Sequence, residues 1–379
     1  DPDKMGFAQY RCMQCGETRR VAFSCKSSFC LSCAKPYTDR WVEFISRRLL
    51  PNVTYRHIVL TVPEFLRHWF SRDPALLSSL MRAGHNCLID VFKSSHKNKK
   101  LDIGSIVVLQ TAGRSGNYNP HLHILVTSGG IDPLGRWKNV PYIPFKIIHL
   151  KWQYYLLTML RKYVSNPDVE QDIDLAWRNY PKGFVAHIQN GDVPPGGQGL
   201  ACYLAKYVVS PPISVRRIER YDRHSVSYWY RDHRTGSILH LTLPVLEFID
   251  RMVQHILPKG FQRIRYYGLH GNVRYAKVRD KLSLIIPSHS PISTLSFRVI
   301  PRKSFADLFR DTFAKNPLLC PRCNIEMSLE LLIHPKYGIL KVFIDLFSQE
   351  SPDDQPLQPN EQRSSDQCER LVQVSLPFL

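Results

Sequence analysis

Acidic residues are scarce in this chain: 32 Asp and Glu stand against 51 Lys and Arg over 379 residues, a formal charge of +19. A surplus of that size exceeds what solubility needs, so a polyanion, nucleic acid first, is the natural partner. Long apolar runs are missing as well, and with them a membrane span; no lipidation signal or secretory leader is legible. No GxxxxGK[ST] phosphate loop occurs, so any unwinding of a duplex falls to another protein. What is present, 44% hydrophobic and 22% charged, reads as globular and long enough for two or three domains.

Five of the ten cysteines crowd between residues 12 and 33, a usage that fits a reducing cytoplasm rather than a disulfide framework. Cys12-Met13-Gln14-Cys15 and Cys30-Leu31-Ser32-Cys33 are two CxxC pairs 14 residues apart, with Cys25 between them. Each CxxC turn presents two thiolates to one tetrahedral ion, so Cys12, Cys15, Cys30 and Cys33 are the expected Zn²⁺ ligands and Cys25 a spare or alternative. So few apolar residues surround them that the ion is expected to supply much of the folding energy. The role is either structural or a grip on DNA aided by Arg19, Arg20 and Lys26. Cys320-Pro321-Arg322-Cys323 is a further CxxC with no second pair near it in sequence.

His121 and His123 sit one residue apart at the mouth of an apolar run. Strand alternation sends both imidazoles to one face and Leu122, Ile124 and Val126 to the other, toward a core. Two imidazoles on one rigid face are half a metal site. Around them the chain reads as a strand at 57–62, helices over 64–95 broken near Asp73-Pro74, and strands at 106–111 and 121–127 joined as a hairpin. A helix at 146–163, a strand at 184–188 and a helix at about 199–209 follow. That order, β-α-β-β-α-β plus a helix, is an α+β, ferredoxin-like (RRM-like) domain with an antiparallel sheet. Tyr203 and Tyr207 lie at helical i, i+4 spacing, two phenols on one face.

Farther on, Tyr228-Trp229-Tyr230-Arg231 and Ile238–Leu243 read as a hairpin about Thr235-Gly236, and 244–256 as a helix. Arg263, Arg265, Tyr266 and Tyr267 interleave cations with rings, a pattern suited to single-stranded DNA, where bases stack and phosphates pair; packing of either ring in a core is the alternative. From about 348 the chain turns to Ser, Gln, Pro and Asp and is expected to be disordered. The expected division is a zinc-binding domain at 1–45, a nuclease domain at 46–212, a basic DNA-binding region at 213–330 and a C-terminal segment at 331–379.

Four motifs, from the cysteine cluster through Gln110-Thr111 and Asn119-Pro120-His121-Leu122-His123 to Tyr203-Leu204-Ala205-Lys206-Tyr207 and Arg263-Ile264-Arg265-Tyr266-Tyr267-Gly268, resemble the two-tyrosine HUH transposases of bacterial rolling-circle insertion sequences, relatives of the helitron nucleases. The likeness covers roughly residues 10–325; Leu31 departs from the proline expected there. It implies cleavage and joining of single-stranded DNA at element ends and target through a 5′-phosphotyrosine, with a host helicase and replication machinery as partners and a nucleoid-associated, cytoplasmic location. Lys206, three residues from Tyr203, either favours a phenolate or contacts phosphate. Gln110 is the best-placed third ligand for a Mg²⁺ or Mn²⁺ ion beside His121 and His123, with His187 a weaker candidate. The same chemistry serves a replication initiator or a relaxase, and a non-cutting zinc-dependent DNA-binding regulator is the reading from another class.

Overall fold

A computed structural model describes residues 2–23, 44–188, 211–285 and 316–343, apart from 46–47, 51, 97–99, 233–234 and 317, together with residue 310. In chain order the strands and helices used below are β1 (Phe7–Arg11), β2 (Thr18–Ala22), β3 (Tyr55–Thr61), α1 (Arg67–Arg72), α2 (Leu76–Ser95), β4 (Gly104–Ala112) and β5 (Tyr118–Thr127). They continue with β6 (Gly129–Ile131), β7 (Trp137–Asn139), α3 (Phe145–Tyr163), α4 (Asp168–Asn179), β8 (Ala186–Ile188), β9 (Ile218–Tyr221), β10 (Ser225–Arg231) and β11 (Ile238–Pro244). Last come α5 (Val245–Val253), β12 (Ile264–Gly268), α6 (Asn272–Ile285), β13 (Ser328–His334) and β14 (Gly338–Val342).

The chain divides into two compact units, one of residues 1–24 with 316–379 and the other of residues 25–315. This differs from the division at 45, 212 and 330 read from the sequence, because both ends of the chain enter one small sheet. That sheet runs β14-β13-β1-β2. β13 pairs antiparallel with β1, Phe7 facing Ile333 and Arg11 facing Ser328. Glu330 ties them further, accepting from Gln9 Nε2 at 2.9 Å and pairing with Arg11 Nη2 at 2.7 Å. The unit's buried cluster is small: Cys12, Cys320 and Met327, with Tyr10 and Cys323 against them.

The larger unit is built on a five-stranded sheet in the order β12-β4-β5-β3-β8, with every pair antiparallel. Alternation decides which residues each face buries. Ile58, Leu60, Val107, Leu109, Leu122, Ile124 and Val126 turn to one face and meet α2 and α3 in the main core. Gly84 on α2 makes that approach close, since a Cβ there would stand 2.5 Å from Leu122 Cδ1. Tyr55, Ile106, Val108 and Leu125 turn to the other face, against Ile45, Leu49, Leu50 and, on α6, Leu282. The helical stretch after β3 breaks at Asp73-Pro74 as expected, and Asp73 Oδ1 accepts the Ala75 amide at 2.9 Å ahead of α2.

Two features were not anticipated from the sequence. α4 follows α3 and buries Val169, Ile173 and Ala176, with Asp168 and Glu170 in its first turn. β12 is the sheet's fifth strand, pairing with β4 from Ile264 opposite Val108 to Gly268 opposite Gly104. The expected 228–231 and 238–243 hairpin does form, as β10 and β11, with β9 added in a three-stranded sheet. Its Tyr228 Oη donates to the Ser115 carbonyl on the β4–β5 turn at 2.7 Å, and His255, just beyond α5, brings Nε2 to 3.0 Å from the Gly116 carbonyl of the same turn.

Candidate active site and metal centre

On the sheet face opposite α2 and α3, at the end near the β4–β5 turn, three polar side chains converge. β5 pairs with β3 and β4 so that His121 lies between Thr61 and Gln110, and His123 between Val59 and Val108. His123 is 5% exposed. Its Nε2 stands 3.1 Å from Gln110 Oε1, and the ring of His121 is 4.9 Å away, edge to face. The Nδ1 of His121 is 2.7 Å from the Asn119 carbonyl. A carbonyl can only accept, so Nδ1 carries the proton and Nε2 keeps a lone pair.

Burial lowers the pKa of both imidazoles. For His123 it reaches about 2, through desolvation first and then the neighbouring His121 and His57. For His121 the fall comes from desolvation, with the Arg67 guanidinium adding to it against the Asn119 carbonyl. Both rings are therefore neutral near pH 7, the state in which imidazole ligates a cation. Two imidazoles and an amide oxygen on adjacent strands suit a divalent ion such as Mg²⁺ or Mn²⁺. His187 on β8 faces the same side but is exposed and two strands from His123, with Val59 between. It does not join the cluster. Tyr203, Lys206 and Tyr207 lie outside the described residues. His57, which the sequence reading passed over, does join, its Nε2 3.1 Å from His123 Nδ1.

The second centre is made of cysteine. Cys12, Cys15, Cys320 and Cys323 bring four Sγ atoms within 4.8 Å of one another. Where the sequence paired Cys12 and Cys15 with Cys30 and Cys33, the structure brings them to the CxxC that looked partnerless; Cys25, Cys30 and Cys33 lie outside the described residues. The two halves repeat one local structure. Cys12 N donates to Glu17 O and Gly16 N to Cys12 O; Cys320 N donates to Ile325 O and Asn324 N to Cys320 O. Gly16 (φ 71°) and Asn324 (φ 55°) occupy the left-handed position just after each second cysteine, which glycine and asparagine tolerate best. Ionising one thiol opposes ionising the next. The Cys12 thiol falls to about 7, helped most by the Cys15 amide, while that of Cys323 is pushed up to about 12, first by Cys15. A divalent ion among the four removes that opposition. Its chemistry is that of a closed structural Zn²⁺ site.

The four residues expected to touch single-stranded DNA, Arg263 just ahead of β12 and Arg265, Tyr266 and Tyr267 on it, are half-buried. Arg48 lies 4.4 Å over the Tyr266 ring, which meets Phe44 edge-on at 6.0 Å. Tyr267 stacks on His85 at 4.6 Å, and Arg265 Nη2 donates to Ser78 Oγ at 2.7 Å. The Arg263 carbonyl accepts from Leu109. Exposed cations and a ring stand, among the described residues, on the β9–β10 hairpin, where Arg220 and Tyr221 are 80% and 78% exposed and Arg223 is exposed beside them.

Comparison with known proteins gives a consistent picture. Residues 2–62 match the family described as "Transposase zinc-binding domain", and residues 104–277 match the family described as "Putative transposase". The second stretch spans Gln110, both histidines of β5 and both tyrosines; Cys320 and Cys323 lie beyond either match. The chain is 29% identical over 335 residues to the transposase for insertion sequence element IS801 of Pseudomonas savastanoi pv. phaseolicola, covering 85% of this chain and 79% of that protein. It is 28% identical over 334 residues to "Putative transposase y4qJ" of Sinorhizobium fredii, covering 83% and 81%. No solved structure matches. Among the described residues no helix is long and apolar enough to cross a membrane.

Proposed function

We propose that this chain is a transposase that moves an insertion sequence by nicking and rejoining single-stranded DNA through tyrosine, in a rolling-circle-like manner; its matches to two transposase domains and to the IS801 transposase support that reading. The observation that carries the reading is the convergence of His121, His123 and Gln110, with Nε2 of His123 beside the Gln110 oxygen. The scaffold suits it. Strand and helix order from β3 to β8, with β3 and β5 adjacent inside an antiparallel sheet, supports the ferredoxin-like reading of a nuclease domain.

His121, His123 and Gln110 would hold Mg²⁺ or Mn²⁺, which when bound supplies Lewis-acid polarisation of the scissile phosphate. The chain's own groups do the rest. A phenol is a weak nucleophile at neutral pH, and the positive charge of Lys206, three residues from Tyr203, favours its ionised form. The phenolic oxygen of Tyr203 or Tyr207 attacks phosphorus, its proton leaves, and the bond to the 3′ oxygen breaks. A free 3′-hydroxyl and a 5′-phosphotyrosine result. Attack of a 3′-hydroxyl on that phosphotyrosine later reverses the step onto another strand, releasing the phenol. Two tyrosines let one open the element end while the other holds the second strand. Arg220, Tyr221 and Arg223 offer phosphate pairing and base stacking along the approach. A host helicase supplies the single strand.

The test is a covalent adduct. Purified protein with labelled single-stranded DNA carrying its element ends is resolved on a denaturing gel with and without Mn²⁺. A Mn²⁺-dependent adduct is expected, lost in His121→Ala and in the Tyr203→Phe/Tyr207→Phe double variant. Intact DNA binding without any adduct would instead favour a non-cutting, zinc-dependent regulator.

A further inference from the structure

We propose that His57 is a positioning residue for the divalent ion: it accepts the Nδ1 proton of His123 and so keeps the lone pair of His123 Nε2 turned toward Gln110. This rests on the reading of the histidine face as a metal site. His57 lies on β3 two residues before Val59, the residue paired with His123, so alternation places it on the metal face of the sheet. It is 2% exposed.

The two rings are parallel to within 3°, their centroids are 5.3 Å apart, and Nε2 of His57 is 3.1 Å from Nδ1 of His123. Those three values together describe rings lying edge to edge in a common plane rather than face to face. Imidazole lone pairs and N–H bonds lie in the ring plane, so the contact is a well-directed N–H···N hydrogen bond. A neutral imidazole has a single N–H. With the proton on Nδ1, His123 donates to His57 and presents a lone pair at Nε2. With the opposite tautomer, Nε2–H would donate to Gln110 Oε1, 3.1 Å away, and nothing would remain for a cation. His121 has its Nδ1 held by the Asn119 carbonyl. His57 does for His123, from a separate strand, what that carbonyl does for His121. Both ligating rings then have the distal nitrogen held, the arrangement that orients metal-bound histidines and raises their basicity.

The experiment uses the full chain, zinc-loaded and without DNA, and reads free Mn²⁺ by electron paramagnetic resonance during a titration. His57→Leu fills the space without an acceptor, and His57→Gln brings an amide oxygen to about the place of Nε2. The expected result is a loss of Mn²⁺ affinity of about 10- to 100-fold in His57→Leu, most of it restored in His57→Gln, at unchanged melting temperature. Should His57→Leu melt early, His57→Asn, an amide too short to reach His123, replaces it with the same loss expected. Wild-type affinity in the Leu or Asn variant, while His121→Ala binds no Mn²⁺, would overturn the role of His57 and leave the metal site standing. Wild-type affinity in His121→Ala would overturn both.

Discussion

The histidine cluster and the cysteine cluster gather side chains able to ligate a cation, and they do so from opposite ends of the polymer's geometry. His121, His123 and Gln110 sit on one hairpin, and a large core lies behind the sheet that carries them. Cys15 and Cys320 are 305 residues apart in sequence, and their unit buries little beyond the cysteines and Met327. One site is a decoration on a fold that would stand without it. The other is a large part of why its fold stands.

Stripping metal sharpens this contrast most. Removal of Zn²⁺ by a strong chelator is expected to unfold the 1–24/316–343 unit, a structural zinc site of this kind contributing on the order of 10 kcal/mol, while the 44–285 unit keeps its melting transition. Cys320→Ser/Cys323→Ser should lose as much zinc per chain as Cys12→Ser/Cys15→Ser, measured by elemental analysis. Full retention of zinc in the former would return the site to the N-terminal cysteines alone. At the other centre, Gln110→Ala should weaken Mn²⁺ binding by about tenfold or more with no change in melting temperature. If binding is untouched, Gln110 is no ligand.

Two smaller effects separate the units by their buried charges. In the small unit the Gln9 amide and the Arg11 guanidinium lower the Glu330 carboxyl against the opposing effect of burial. Glu330→Gln should cost about 1–3 kcal/mol there, seen as earlier melting of that unit at neutral pH. In the large unit burial lowers His85 to about 4 and His270 to about 3. Each stays neutral when folded but takes a proton at its ordinary pKa when unfolded, so their contribution is complete above about 6.5. It should be lost progressively as pH falls from there, through about 4 for His85 and about 3 for His270. His85→Gln should flatten that slope in denaturant titrations across the same window.

Sequence patterns disclosed what depends on neighbours along the chain. The β5 alternation, the break at Asp73-Pro74 and the β10–β11 hairpin are local, and each forms as expected. Cys320-x-x-Cys323 was legible as a half-site, but nothing in one sequence measures the distance in space to Cys12. The β12 pattern was open to two readings for a different reason. A cation over a ring looks the same in sequence whether the ring belongs to a base or to a neighbour, and here Arg48 covers Tyr266 and His85 covers Tyr267. His57 carried no motif at all: a lone histidine in an apolar strand gains meaning only from the register that sets it beside His123. α4 was findable, since Val169, Ile173 and Ala176 recur at helical spacing behind an acidic first turn.

Joining residues 12–15 to residues 320–323 in one cysteine cluster also sets an order of events during synthesis. Cys12 and Cys15 leave the ribosome early, yet this four-thiolate site cannot close until Cys323 has followed them out. A copy of the gene cut short before the Cys320 codon yields a chain whose β1 and β2 lack both β13 and half of the cysteine cluster.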